Sequence, residues 1–434
     1  MIMRRTKTRS PLLVTVTASL LAGAAALLGC TSILGGFDSA RETGGDGRDG
    51  AADDAQTTSP DGGGGDDGGG GDGSTGDAGG DAPIPLVCDA PEVACGVGAS
   101  AVCANRDTSG AHCGACGHSC GGGVCTQGKC GPAKVFSGAP VGAIALDVDE
   151  VLFASNDTSD RLLACPKSGC AAAPRQVAVM PFGIGAVDVP SPGTVAFISA
   201  PQNSSGTERP AIFSCPSAAC PALPTSFVSD GLNGFDSRLR SLDGTIYAYS
   251  GGSGLIWSAC DAGACATPAK GFGLVTKGTH GFYPGPGNLF FIDSSTRGSP
   301  IAKCAAGDTA CTPAAVLAGD QSAVQAVVVF ASKLFWLLPG RDGFVEGKLM
   351  SCDLPACASP AAQAGGLDSP LGLVVDAGGS WWLTKTGKIQ HCAPNGCPGG
   401  QQDVVGPIAG VHDLVADPAF IYWGDGTTIT RLAK

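Results

Sequence analysis

Twelve cysteines fall into six close pairs between residues 165 and 397 of this chain: Cys165/Cys170, Cys215/Cys220, Cys260/Cys265, Cys304/Cys311, Cys352/Cys357 and Cys392/Cys397. Five pairs enclose four residues and one encloses six. A short hairpin loop can bring its two ends to disulfide geometry, about 5.5 Å between Cα atoms. Each pair is therefore expected to bond internally and to pin the outer hairpin of its own repeat, not to hold repeats together. Eight further cysteines crowd into one stretch: Cys88, Cys95, Cys103, Cys113, Cys116, Cys120, Cys125 and Cys130. With Cys30 set aside, the remaining 20 of 21 form an even number, as a disulfide framework in an oxidising compartment requires.

Other chemistry is open to some of these residues. Cys113 and Cys116 form a Cys-x-x-Cys flanked by His112 and His118, which suits zinc or thiol redox work as well as disulfides. Zinc needs reduced thiolates, and the redox motif needs a strand–helix context that is missing here. Disulfides are the favoured reading, with pairing unassigned and no metal or cofactor expected. The chain has no Gly-x-Ser-x-Gly elbow, no His-Glu-x-x-His and no phosphate-binding Gly-x-x-x-x-Gly-Lys-Ser/Thr loop. Three histidines, His280, His391 and His412, lie in the repeats, and His280 and His412 fall near first strands. No catalytic residue is assigned.

The surrounding elements explain the cysteine usage. Arg4, Arg5, Lys7 and Arg9 precede an uncharged apolar and small-residue run over 11–29, a secretory signal layout. The run ends Leu27-Leu28-Gly29-Cys30, which resembles a bacterial lipobox. The resemblance implies cleavage before Cys30, its acylation, and Thr31 in place of an aspartate that would retain the product at an inner membrane. An uncleaved N-terminal membrane anchor is the competing reading, and either exports the rest of the chain. Residues 35–82 are Gly/Asp low complexity and are expected to be a disordered tether. Residues 31–87 hold twelve acids against Arg41 and Arg48, so most of the net charge of −12 is linker. The aspartates there lack a calcium-loop pattern. Nothing basic enough for nucleic acid is present.

Residues 88–131 carry too few large apolar side chains for an ordinary core, so disulfides must stabilise them. The stretch from Cys103 to Cys130 resembles the short Cys-Gly-rich repeat of myxobacterial cell-surface proteins and lipoproteins.

From 133 onward, successive first cysteines of the pairs stand 50, 45, 44, 48 and 40 residues apart. In a β-rich pattern this period is that of a propeller blade. The repeat around Trp381 and Trp382 shows the unit. Strands are predicted at 371–376, 380–384, 388–392 and 402–405, with glycine turns between the first three. Other second strands are predicted at 151–154, 194–198, 245–249, 288–292 and 333–337. An aspartate recurs near the end of first strands, at Asp147, Asp188, Asp243, Asp376 and Asp417. Such a side chain caps a turn by accepting local N–H groups; a calcium ring is the sharper alternative. The last repeat offers strands at 413–416, 420–423 and 428–432 and lacks a fourth. Residues 134–137 read as that fourth strand, and pairing it with 428–432 would close the ring and remove an exposed edge.

Ile421-Tyr422-Trp423-Gly424-Asp425, with Ile429 and Arg431, resembles the Tyr-Trp-Thr-Asp propeller repeat of lipoprotein receptors and related bacterial propellers. The resemblance implies a six- or seven-bladed ring with a scaffold or recognition role. Trp336, Trp382 and Trp423 are expected to pack between blades, with a sugar-stacking surface as the alternative.

The fold class expected is all-β, a seven-bladed β-propeller preceded by a small disulfide-rich module and a disordered linker. The divisions are a signal peptide at 1–29, acylated Cys30 and tether at 30–87, the module at 88–131 and the propeller at 133–434. The function expected is a membrane-anchored extracytoplasmic binding or scaffolding lipoprotein, at an outer membrane or cell surface. Its partners would be the membrane, through the lipid, and a protein or carbohydrate ligand. The alternative is a propeller enzyme: a lyase, a hydrolase or a quinone-dependent dehydrogenase.

Overall fold

The computed structural model describes residues 86–434 apart from 139, 156, 158, 200–210, 222–224, 229–236, 243, 251–254, 262–269, 274–278, 294–300, 306–314, 319–323 and 341–345. The leader, Cys30 and the Gly/Asp-rich segment lie outside the described residues. Among the described residues no helix is long and apolar enough to cross a membrane.

The described chain is all-β apart from a single 3-10 turn at Gly98–Ser100. Seven four-stranded antiparallel sheets stand among the described residues. Six are built from four consecutive strands and are numbered here as blades one to six; their innermost strands are Ile144–Leu146, Ile184–Ser191, Ser237–Leu242, Thr279–Gly285, Ala326–Phe330 and Pro370–Asp376. The last sheet, blade seven, takes Asp413–Ala416, Phe420–Gly424 and Thr428–Ala433 from the end of the propeller segment and Ala133–Ser137 from its start. In it Thr428 pairs with Ser137 and Ile429 with Phe136. Successive innermost strands touch, and that of blade seven touches that of blade one, so the arrangement is a closed β-propeller.

Its second strands do not alternate in polarity, for a physical reason. Gly379–Thr384 is buried at every position, because a second strand has a neighbouring blade on both faces. The core lies between sheets. One cluster joins Phe290 of blade four, Trp336 of blade five and Trp382 of blade six. Another joins Phe153 and Leu163 of blade one to Tyr422 and Ile429 of blade seven. Burying these faces is the main source of stability, at about 25 cal/mol per Å² of apolar surface.

The small module before the propeller has two two-stranded ribbons, Val93–Cys95 with Val102–Ala104 and Cys125–Thr126 with Lys129–Cys130. Four disulfides replace a core: Cys88–Cys103, Cys95–Cys116, Cys113–Cys125 and Cys120–Cys130. The Cys-x-x-Cys residues bond to different partners, so the motif is not a dithiol pair. The sulfurs of Cys113, Cys120 and Cys130 lie within 4.8 Å of one another, but all three are consumed in disulfides.

Candidate functional site

Two sets of residues carry the polar chemistry of the described propeller: the corners where first strands turn into second strands, and the buried charges of the innermost strands. The corner aspartates do what their position in the sequence suggests. Asp147 Oδ1 accepts from Val148 N at 2.8 Å, Asp188 Oδ1 from Val189 N at 3.0 Å and Asp376 Oδ1 from Gly378 N at 2.7 Å. Asp417 Oδ1 accepts from Ala419 N and Phe420 N at 2.9 and 2.8 Å. Asp243 lies outside the described residues.

The second carboxylate oxygen of these aspartates leaves the blade. Asp147 Oδ2 accepts from Ser217 Oγ of blade two at 2.5 Å, and Asp188 Oδ2 from Ser241 Oγ of blade three at 2.8 Å. Asp417 Oδ2 of blade seven pairs with Lys167 Nζ of blade one at 3.1 Å, and Asp376 of blade six pairs with Lys434 of blade seven. Burial works against the Asp417 carboxylate, but Lys167 and the two turn N–H groups hold it below the ordinary range. The same carboxylate accepts from Tyr422 Oη at 2.9 Å; burial first, and then Asp417, push that phenol up. Among the described residues these oxygens are taken up by neighbouring blades, and that of Asp417 also by Tyr422 of its own blade.

Register explains why these partners recur. Cys165 lies opposite Val151 and Cys215 opposite Val195, each the second residue of its second strand. Leu432 stands in the same place opposite Ile421. Lys167, Ser217 and Lys434 each follow that position by two residues, so all three reach the corner of the preceding blade.

Nearer the axis, Asp188, Arg240 and Asp413 are buried, with exposures of 3%, 7% and 0%. Burial raises the Asp188 carboxyl, against the Arg240 charge and the Ser241 and Val189 donors. Asp413 is raised much further by burial, against the Ile144 N–H that reaches its Oδ2 at 3.1 Å and the charge of Arg240. Arg240 thus feels acids from blades two and seven. His412 Nε2 lies 3.1 Å from Gly142 O of the segment leading into blade one, and Nδ1 lies 3.1 Å from Gly410 O. Asp413 and His412 tie blade seven to the segment entering blade one, and Asp413 Oδ1 is buried without a hydrogen-bond partner. Asp413 and Arg240 were missed by sequence reading; the available signal was a charge inside an apolar first-strand run.

The disulfides Cys165–Cys170, Cys215–Cys220, Cys352–Cys357 and Cys392–Cys397 are each internal to one blade. Cys304 is also disulfide-bonded, while the side chains of Cys260, Cys265 and Cys311 lie outside the described residues. The expectation that these loops act only within their own blade needs correction. The Cys170 N–H donates to Val135 O at 2.8 Å, Cys220 to Val177 O at 3.0 Å and Cys397 to Gln363 O at 3.1 Å. Each acceptor belongs to the outermost strand of the preceding blade.

Trp336, Trp382 and Trp423 are 0%, 0% and 1% exposed. They pack inside the ring, and the sugar-stacking alternative fails for all three. Trp381 is also buried and stacks on His391, with centroids 4.6 Å apart. The side chain of His280 lies outside the described residues.

The module is seated on blade seven. His118 Nε2 is 2.9 Å from the main-chain oxygen of Lys434, and Arg431 donates to Gly121 O while lying 4.7 Å over the Phe420 ring. Gly121 has φ +57°, and a Cβ there would come within 2.5 Å of Phe420 Cε1. Cys130 packs against the apolar cluster that includes Trp423 and Leu432. Blade seven has no cysteine loop, because its third and fourth strands come from opposite ends of the propeller segment. The module stands where that loop would be.

No family model matches the chain, and no curated protein matches it. Among solved structures, the WD40 β-propeller domain of Doa1 is similar with a TM-score of 0.51 at 11% identity, over 70% of this chain and 97% of that one. YCF48 from Cyanidioschyzon merolae gives 0.49 at 12% identity, over 70% of this chain and 98% of its own. The computationally designed Ika8 protein gives 0.48 at 9% identity, over 69% and 98%. The Doa1 likeness shows the propeller fold and nothing finer.

Proposed function

We propose that this chain is an exported, lipid-anchored binding or scaffolding protein, with acylated Cys30 as its anchor, residues 31–87 as its tether and a propeller that presents a protein or carbohydrate ligand-binding surface. The observation that carries the binding or scaffolding reading is the use of the buried charges. Asp147, Asp188 and Asp417 all reach side chains of the next blade, and Asp413 reaches its backbone, so the polar groups of the inner ring make a rigid frame. A propeller alone serves binding and catalysis equally, so it is the commitment of these groups that favours the first. The density of disulfides supports an extracytoplasmic, oxidising setting. The net charge of −12 disfavours nucleic acid as partner.

Two measurements test this reading. Membrane fractionation of the wild-type chain and Cys30→Ser, with mass determination of the mature N-terminus, tests the anchor. Loss of the acyl mass and release of the variant are expected; identical processing and partition would overturn the lipoprotein reading. Titration of the protein spanning 88–434 against arrayed glycans and peptides tests the role. Saturable binding without turnover is expected, and turnover of a bound sugar or ester would make the chain an enzyme.

A further inference from the structure

We propose that the cysteine-closed loops of blades one, two and six are clasps on the outer strand of the preceding blade, so that their disulfides set the rigidity of those junctions. The outermost strand of a blade presents a free edge of unpaired N–H and C=O groups, which natural sheets cover or interrupt. Here the cover comes from the next blade. The second cysteine of the pair lends its N–H to that edge at three junctions: Cys170 to Val135, Cys220 to Val177 and Cys397 to Gln363. At the junction of blades four and five the contact falls on the third strand instead, with Lys303 Nζ of blade four 3.0 Å from Pro355 O of blade five.

The side chains around two of these loops act in the same direction. Ser217 and Lys167, two residues after the first cysteine, hold Asp147 and Asp417 of the preceding blade. Arg175 of blade one donates in turn to Ser217 O of blade two at 3.0 Å. Gly396, at φ +91°, lets the Cys392–Cys397 loop lie against Gln363, where a Cβ would stand 3.1 Å from its Oε1. A loop of four residues gains little chain entropy from its cross-link. The bond instead fixes the direction of the second cysteine's N–H. Without it the loop is free to leave its neighbour, and the junction loses that hydrogen bond.

Amide hydrogen exchange distinguishes this from a role within one hairpin. In the full chain carrying Cys165→Ser and Cys170→Ser, exchange should speed up about tenfold or more over 133–137, the outer strand of blade seven. In the variant carrying Cys392→Ser and Cys397→Ser it should speed up over 361–367 of blade five. Exchange that changes only in the variant's own outer strand, 175–179 or 402–405, would overturn the proposal. Ser217→Ala leaves every cysteine in place and removes only the Ser217 Oγ–Asp147 bond; exchange should speed up at Val148 and stay unchanged over 175–179, and faster exchange over 175–179 would show that the cysteine N–H is not what holds that strand. Reduction of the folded wild-type chain by an external dithiol gives an independent readout. The dithiol supplies two electrons and two protons to each protein disulfide and closes to its own cyclic disulfide. Reduced protein should lose protection first in these outer strands; loss spread evenly over all strands would sink the idea.

Discussion

Lys167 Nζ stands 3.1 Å from Asp417 Oδ2, and this pair joins the first blade of the ring to the last. It lies beside the composite sheet in which Thr428–Ala433 meets Ala133–Ser137. Ring closure therefore rests on a backbone ladder, an ion pair and the packing of Phe153 against Phe136, whose ring centroids are 4.7 Å apart.

Asp417→Asn tests the ion pair. The amide keeps an acceptor for the turn but loses the charge that Lys167 needs, so about 2 kcal/mol of stability should go at neutral pH. The Asp417 carboxyl titrates lower in the folded chain than its ordinary 3.8, so its contribution is present above that value and is lost as pH falls through the folded pKa. Thermal unfolding of wild type and variant should therefore differ at pH 7 and converge once the pH has fallen through the lowered pKa of the folded carboxyl. A gap that persists in acid would show that the charge is not what stabilises the corner.

Asp413 should show the opposite sign. Burial raises its carboxyl well above the ordinary value, so the folded chain holds a proton there that the unfolded chain has released. Its contribution is complete below the unfolded pKa and declines as pH rises through the folded one. Asp413→Asn keeps an oxygen for Ile144 N–H and cannot ionise. It is expected to match wild type at pH 4 and to exceed it at pH 8. Asp413→Ala should cost about 1–3 kcal/mol at either pH, because it orphans the buried N–H. Melting curves of the three proteins across that range decide the matter.

Trp382→Ala tests the interior reading of the tryptophans. The side chain is fully buried, and its Nε1 donates to Gln390 Oε1 at 3.0 Å while Gln390 Nε2 donates to Asp403 Oδ1 at 2.7 Å. The loss should be about 3–5 kcal/mol from the cavity alone. A variant that keeps wild-type stability while losing affinity for a sugar would place Trp382 on a binding surface after all.

Much of this architecture was legible in the sequence because the repeat carried its own punctuation. Cysteine pairs marked the turn from third to fourth strand, and glycines marked the earlier turns. The strands expected at 371–376, 380–384 and 402–405 are found at Pro370–Asp376, Gly379–Thr384 and Gln402–Val405. The pairing of 134–137 with 428–432 followed from a last blade one strand short. What was not legible was the direction of side chains across blade junctions. Asp147 and Asp417 read as local turn formers, and their turns do use them so. Their second oxygens meet residues 70 and 250 positions away, and no local pattern announces such a partner. The cysteine loops were misread for the same reason: a covalent bond within a hairpin is visible as spacing, and the neighbour it leans on is not.

The module offers the last test. Its attachment depends on Gly121, whose φ of +57° and closeness to Phe420 leave no room for a side chain. Gly121→Val would meet both a strained backbone and a ring already fixed by Arg431 at 4.7 Å and by packing against Tyr422. The four module disulfides should still form, because they lie wholly within 88–130. The expected outcome is a folded module released from an intact ring. The Arg431 guanidinium then loses the Gly121 carbonyl, and Lys434 loses its contact with His118. Limited proteolysis should cut between Cys130 and Ala133 in the variant and leave wild type whole, with a fall of several degrees in Tm. Equal resistance of the two proteins would mean that the module is held by contacts other than these.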